Sequence, residues 1–315
     1  MIVTVTPNPS VDRSVMIDAL LPGEVHRATG SRVDPGGKGI NVARAITAQG
    51  GHALAVMPTG GPEGHLLEEL LDSAGVPRRS VPITGSARMN ISVLEPDGTT
   101  TKLNEPGPVL DSQESAELLA AALDASVGAA WLVGCGSLPP GVPVDFYASL
   151  IIEGRAAGLR VAIDSSGPAM AAALSARPHL IKPNLEELSE LAGRDLLTLG
   201  DVRDEARRLI DLGIETVAVS LGEDGALLVT GTTEVLAKAT VAVPLSTVGA
   251  GDCMLAGLLY SLSDGNSPES SLETAVRWGS AAVALPGSGV PHQEDLVDIV
   301  VHVDTSPSPI TPLGR

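Results

Sequence analysis

A chain of 315 residues with 43% apolar side chains can bury a large core, and an aromatic share of only 2% leaves that core to Val, Leu, Ile and Ala. The formal net charge of −18 repels nucleic acid and acidic membranes, so any phosphate site must be rebuilt locally from Arg, Lys and backbone N–H groups. Two cysteines, Cys135 and Cys253, without metal-type spacing, give the pattern of a reduced, cytoplasmic protein rather than a disulfide framework.

Residues 2–6 form an apolar run with no charged leader segment before it, and read as a strand rather than a signal peptide. Further buried-strand runs fall at 53–57, 130–133, 159–163 and 216–220. Helix-patterned stretches lie between them at 40–49, 63–74, 112–124, 144–157 and 202–212. This alternation predicts an α/β fold, a doubly wound, mostly parallel sheet flanked by helices, with ligands beyond the carboxyl ends of the strands. Residues 13–33 and 88–103 break the rhythm with polar–apolar alternation and turns at Pro22-Gly23 and Pro96-Asp97-Gly98. They predict two ribbons that pair into a small β-sheet lid; surface hairpins without a role are the alternative. Residues 1–303 then form a single domain, and residues 304–315, with Pro307, Pro309 and Pro312, a flexible tail. No stretch approaches the roughly 18 apolar residues of a membrane span. The six histidines show no metal spacing and take ordinary structural or surface roles.

Two segments carry chemistry. Ser246-Thr247-Val248-Gly249-Ala250-Gly251-Asp252 precedes a stretch that is apolar nearly all round, the pattern of a buried helix. Glycines before a helix start let backbone N–H groups converge on an anion. Asp252 either caps that helix or takes a proton from an incoming hydroxyl, and the segment alone leaves both open. A Gly-x-x-x-x-Gly-Lys-Ser/Thr loop is missing, and Met254 stands where a dinucleotide fingerprint needs its third glycine. The second segment, Asp34-Pro35-Gly36-Gly37-Lys38-Gly39-Ile40-Asn41-Val42-Ala43, sets three glycines around one lysine where a helix begins, which describes close backbone approach to a ligand.

Both segments resemble, in order and separation, the two signatures of the PfkB (ribokinase-like) carbohydrate kinases, and the resemblance runs from Ile2 to about Gly289. It implies a kinase that uses ATP and Mg²⁺, with Asp252 as general base and the amides of Gly249, Ala250 and Gly251 as an anion hole. Asp12, Gly37 and Asn41 would hold the sugar, and Arg88 would meet a phosphate already on it. Arg suits that role through its bidentate fork. Lys38 joins the phosphosugar set, as does Ser137 in Gly136-Ser137-Leu138-Pro139-Pro140-Gly141. Lys182 would approach the ATP phosphates. Asn184 and Glu187 have the spacing of a capping box, the reading the residues favour by themselves. The resemblance instead points to Asn184 at the nucleotide and Glu187 at Mg²⁺ through water. Ser220, Gly222 and Gly225 would form a further ATP-site turn, and Ser280 would line the adenine pocket.

Lys38 within Gly36-Gly37-Lys38-Gly39 and Asn104-Glu105-Pro106-Gly107-Pro108 resemble the 1-phosphofructokinase and tagatose-6-phosphate kinase subgroups alike, and Ser246, where ribokinase-like members usually carry Asp, resembles the 1-phosphofructokinase subgroup. The implied reaction converts fructose 1-phosphate to fructose 1,6-bisphosphate; tagatose 6-phosphate is the alternative substrate. A remote alternative is an inactive sugar-phosphate-binding regulator, against which Asp252, Asn184, Glu187 and Arg88 are all present. The implied partners are small molecules, with no nucleic acid and no membrane, and a homodimer through the β-lid. A monovalent cation near Ser246, Val248 and Gly287 is left open.

Overall fold

Runs of Val, Ile and Ala buried on both faces force the strands into the middle of the molecule, where helices must cover them. The computed structural model describes residues 1–241 and 244–314. The amino-terminal part runs β1 (Ile2–Val5), β2 (Ser10–Met16), β3 (Gly30–Gly36), α1 (Lys38–Ala48), β4 (Ala53–Thr59), α2 (Gly61–Ser73) and β5 (Arg78–Pro82). There follow β6 (Arg88–Leu94), β7 (Thr100–Asn104), α3 (Ser112–Ala125), β8 (Trp131–Cys135), α4 (Phe146–Ala156), β9 (Arg160–Asp164) and α5 (Gly167–Ser175). The remainder is β10 (Leu180–Ile181), α6 (Leu185–Ala192), α7 (Leu199–Asp211), β11 (Thr216–Ser220), β12 (Ala226–Thr230), β13 (Glu234–Ala239), α8 (Ala250–Ser263), α9 (Pro268–Val283) and β14 (Val301–Asp304).

Among the described residues one sheet has ten strands in the order β14-β13-β12-β11-β10-β9-β8-β1-β4-β5. It is parallel from β5 to β11 and antiparallel from β11 to β14. Side-chain alternation divides its core in two. Ile2, Ala53, Trp131 and Val133 face the layer of α1, α2, α8 and α9, whereas Val3, Val5, Val56 and Leu132 face α3 to α7. Between β1 and β8 the chain's winding reverses, so a crevice opens beyond their carboxyl ends.

The two excursions pair as expected into a separate sheet of order β3-β2-β6-β7. Each ribbon is antiparallel, and the two join through parallel β2 and β6. Pro35 sits in β3, an edge strand, where its missing N–H leaves no gap in the ladder. Strand occupies only the two ends of the first excursion, and residues 17–29 between them are irregular.

The tail departs from the expectation of a flexible end. Its first residue, Asp304, pairs with Leu236 in the main sheet, and Pro309, Thr311 and Leu313 hydrogen-bond to the start of α7. Proline-rich composition signalled irregular backbone correctly, but it carried no information on these distant partners.

Candidate active site

The lid register assembles the first cluster. Pairing of β2 with β6 sets Ser10 opposite Arg88 and Asp12 opposite Asn90. Asn90 Nδ2 donates to Asp12 Oδ1 and to Ser10 Oγ, both at 3.0 Å, and Ser10 Oγ donates to the same carboxylate at 2.7 Å. A Cβ at residue 36 would land on the Asp12 carboxylate, so only glycine fits there. Arg88 is held by main-chain carbonyls: its Nη1 donates to Glu105 O at 2.9 Å and its Nη2 to Asn8 O at 3.2 Å. Burial lowers its pKa, against the pull of Asp12 and Glu105, while its Nε has no acceptor among the described residues. Asn8 Nδ2 in turn donates to Pro106 O and, at 3.3 Å, to Ser137 Oγ, which draws the loop after β8 toward the lid.

The second cluster stands at the start of α8. Gly249 is its N-cap with φ 79°, a left-handed conformation that glycine adopts without strain. Among the described residues Ala250 N–H makes only a long turn bond to Thr247 O, 3.4 Å, and the next first-turn N–H groups have no carbonyl within the helix to bond. Asp252 lies in that first turn, buried, and accepts from Asn41 Nδ2 at 2.8 Å. Asn41 is fixed by Arg44, whose Nη1 donates to Asn41 Oδ1 at 3.0 Å and to Ser288 O at 3.1 Å. Burial and the nearby Asp164 charge raise the Asp252 pKa to about 6, against the opposing pull of Lys38, Asn41 and Lys182.

A buried carboxylate that the sequence did not single out organises the third cluster. Asp164, at the end of β9, receives Lys38 Nζ at 2.8 Å on one oxygen, and Lys182 Nζ lies 3.3 Å from the other. Burial alone would raise its pKa, but the two ammonium groups outweigh it and hold it below the usual value. Lys38 also lies 3.4 Å from Glu187 Oε1, and the carboxylates hold its pKa well above the usual value although burial pulls it down. Lys38 was expected with the phosphosugar set; its ammonium instead joins the residues expected at the nucleotide. Glu187 Oε2 accepts Asn184 N–H at 2.9 Å and Asn184 Oδ1 accepts Glu187 N–H at 2.7 Å, a complete capping box on α6. Asn184 bridges to Ser220, which continues into the turn of Gly222 and Gly225. A Cβ on Gly251 would lie 3.4 Å from Lys182 Nζ, which brings this cluster against the helix start. Gly279 packs on α8, its Cβ position 3.1 Å from Ala250 O, and so seats α9 and half-buried Ser280 beside it.

A lid over the switch point of a doubly wound sheet, with a glycine-opened helix start carrying a buried carboxylate, is the architecture of a ribokinase-like sugar kinase. Residues 6–295 match the pfkB family carbohydrate kinases. The chain belongs to this family and is a phosphotransferase acting on sugars. It is 38% identical to a 1-phosphofructokinase of Rhodobacter capsulatus over 97% of this chain and 98% of that one. It is equally, at 38%, identical to an ATP-dependent 6-phosphofructokinase isozyme 2 of Mycobacterium tuberculosis, over 94% of this chain and 87% of that one. The structure of phosphofructokinase-2 from Escherichia coli in complex with potassium superposes with TM-score 0.89 at 36% identity, covering 94% of this chain and 96% of that one. Among the described residues no helix is long and apolar enough to cross a membrane.

Proposed function

We propose that this kinase transfers the γ-phosphoryl group of ATP to fructose 1-phosphate, giving fructose 1,6-bisphosphate. The observation that carries the reading is Asp252, buried at a helix start among open N–H groups and tuned to a pKa of about 6. At neutral pH such a carboxylate is ionised yet basic enough to take a hydroxyl proton. Asn41 holds its Oδ2, which leaves Oδ1 for the incoming hydroxyl. The sugar oxygen bonds to phosphorus as the bond to the leaving oxygen breaks, and the hydroxyl proton passes to Asp252. The amides of Gly249, Ala250 and Gly251, with Lys182 alongside, hold the charge on the transferring group. Asp12, Gly37 and Asn41 orient the sugar, and Arg88 and Ser137 take its existing phosphate.

Glu187 suits a water-mediated Mg²⁺: one oxygen caps α6, and the other has only a long contact to Lys38. The ion would neutralise phosphate charge beside Asn184. Ser220, Gly222, Gly225 and Ser280 frame the remainder of the nucleotide, and the loop of Ser246, Val248 and Gly287 is the candidate for a monovalent cation. Exposed Leu21, Val25 and Leu103 on the lid support its role as the surface of a homodimer.

The 6-phosphofructokinase relative of equal identity favours a second reading, fructose 6-phosphate; Lys38 within its glycines favours the first. One coupled assay offering fructose 1-phosphate, tagatose 6-phosphate and fructose 6-phosphate decides. The reading requires the highest kcat/KM on fructose 1-phosphate, and a higher value on either competitor overturns it.

A further inference from the structure

Residues 309–314 lie across the start of α7 in a manner that helix capping alone does not require. Thr311 O and Pro309 O accept the N–H groups of Leu199 and Gly200 at 2.9 and 2.8 Å, two first-turn donors that have no partner inside the helix. Gly200 admits this approach: a Cβ there would lie 2.7 Å from Pro309 O. Glycine in a first helical turn costs stability relative to alanine, so its presence fits a demand for close passage. Leu313 then donates to Leu197 O at 3.1 Å and packs on the core layer beneath α7.

Beyond α7 the segment reaches the turn after β11. Gly314 N–H donates to Asp224 Oδ2 at 2.8 Å, while Lys238 Nζ donates from β13 to Asp224 Oδ1 at 3.1 Å. The Gly314 hydrogen bond, with Lys238 and against the cost of burial, holds the Asp224 carboxylate below its usual pKa. Asp224 closes the turn itself, its N–H donating to Leu221 O at 3.1 Å, and Gly225 O accepts from Leu221 N at 2.8 Å. Asp224 is thereby tied to β13 and to residues 309–314 at once.

We infer that residues 309–314 act as a strap that holds the Gly222–Gly225 turn in its nucleotide-binding shape, with Asp224 as the positioning residue through which the strap acts. The inference rests on the reading that this turn contacts ATP. Its signature is a split: binding of nucleotide weakens while the phosphosugar side, built by the lid, is untouched.

The test compares wild type with a chain ending at Ser308, with Gly314→Pro, which deletes one N–H donor, and with Asp224→Ala. Loss of one or two such bonds raises KM for ATP about 3- to 10-fold, with kcat and KM for the phosphosugar within about twofold. Hydrogen exchange of 221–225 is measured with and without a non-hydrolysable ATP analogue. In wild type the analogue protects the turn, and in the variants the unliganded turn exchanges faster. A shortened chain that folds yet keeps its KM for ATP overturns the strap, as does an equal rise in both KM values. If the shortened chain fails to fold, Gly314→Pro and Asp224→Ala carry the same two outcomes. A wild-type turn that the analogue leaves unprotected overturns the nucleotide reading itself, a result distinct from failure of the strap.

Discussion

Replacing Asp252 with asparagine separates the cost of the site from its benefit. The folded state raises this carboxyl from 3.8 to about 6, because burial and Asp164 penalise its charge. About two pKa units, at roughly 1.36 kcal/mol each, place the penalty near 3 kcal/mol. The sign follows from proton linkage. Between pH 3.8 and about 6 the folded chain holds a proton that the unfolded chain has released, so this group's stabilisation is complete below pH 3.8 and lost above about 6. Asp252→Asn has no charge to bury, and its side-chain carbonyl still accepts from Asn41. The variant is therefore expected to melt about 5 °C above wild type at pH 8, the difference vanishing below pH 4. Its kcat falls about 10²- to 10⁴-fold with KM values little changed, whereas wild-type kcat declines as pH drops through 6. Melting curves from pH 4 to 8 and steady-state rates test both halves. A variant less stable than wild type at pH 8, or one keeping more than about a tenth of kcat, refutes the reasoning.

Arg88→Ala should raise KM for the phosphosugar about 10- to 150-fold and leave KM for ATP nearly unchanged, since a charge-assisted pair is lost on one side only; equal rises place Arg88 elsewhere. Glu187→Gln can retain the capping box, so its melting temperature should hold while the Mg²⁺ dependence of kcat moves to higher concentration; an unmoved Mg²⁺ titration retires the metal role. Asp164→Asn leaves two lysines facing a neutral group and should cost about 3–5 kcal/mol in urea unfolding. The same change relieves Asp252 of a neighbouring negative charge, so the acid limb of the rate profile should move to lower pH.

The legible parts of the molecule were those whose reasons are local. Glycines announce close approach before α1, as the Asp12 carboxylate beside Gly36 illustrates, and left-handed backbone before α8, where Gly249 has φ 79°. The spacing of Asn184 and Glu187 announced a cap, and the cap is complete. Asp164 escaped notice because it ends an ordinary apolar strand, and its partners Lys38 and Lys182 stand 126 and 18 positions away. Asn90 was hidden for the same reason: only the parallel register of β2 on β6 brings it to Asp12. Two-residue β10 is too short for periodicity to speak, and the path of the tail depends on Gly200, whose need is visible only beside Pro309.

The interior position of β1 has a consequence for biosynthesis. One of its edges is paired by β4, close behind it in sequence, but the other waits for β8. On a ribosome adding roughly 5–20 residues per second, the intervening stretch of about 125 residues takes some 6–25 s to emerge. During that interval the lid sheet, made entirely from residues before 105, can already be complete, while Val3 and Val5 lie on an open, apolar strand edge. The nascent chain thus carries a lid sheet and a sticky half-built main sheet together, and the open edge passes from β1 to β8 only when Trp131–Cys135 docks.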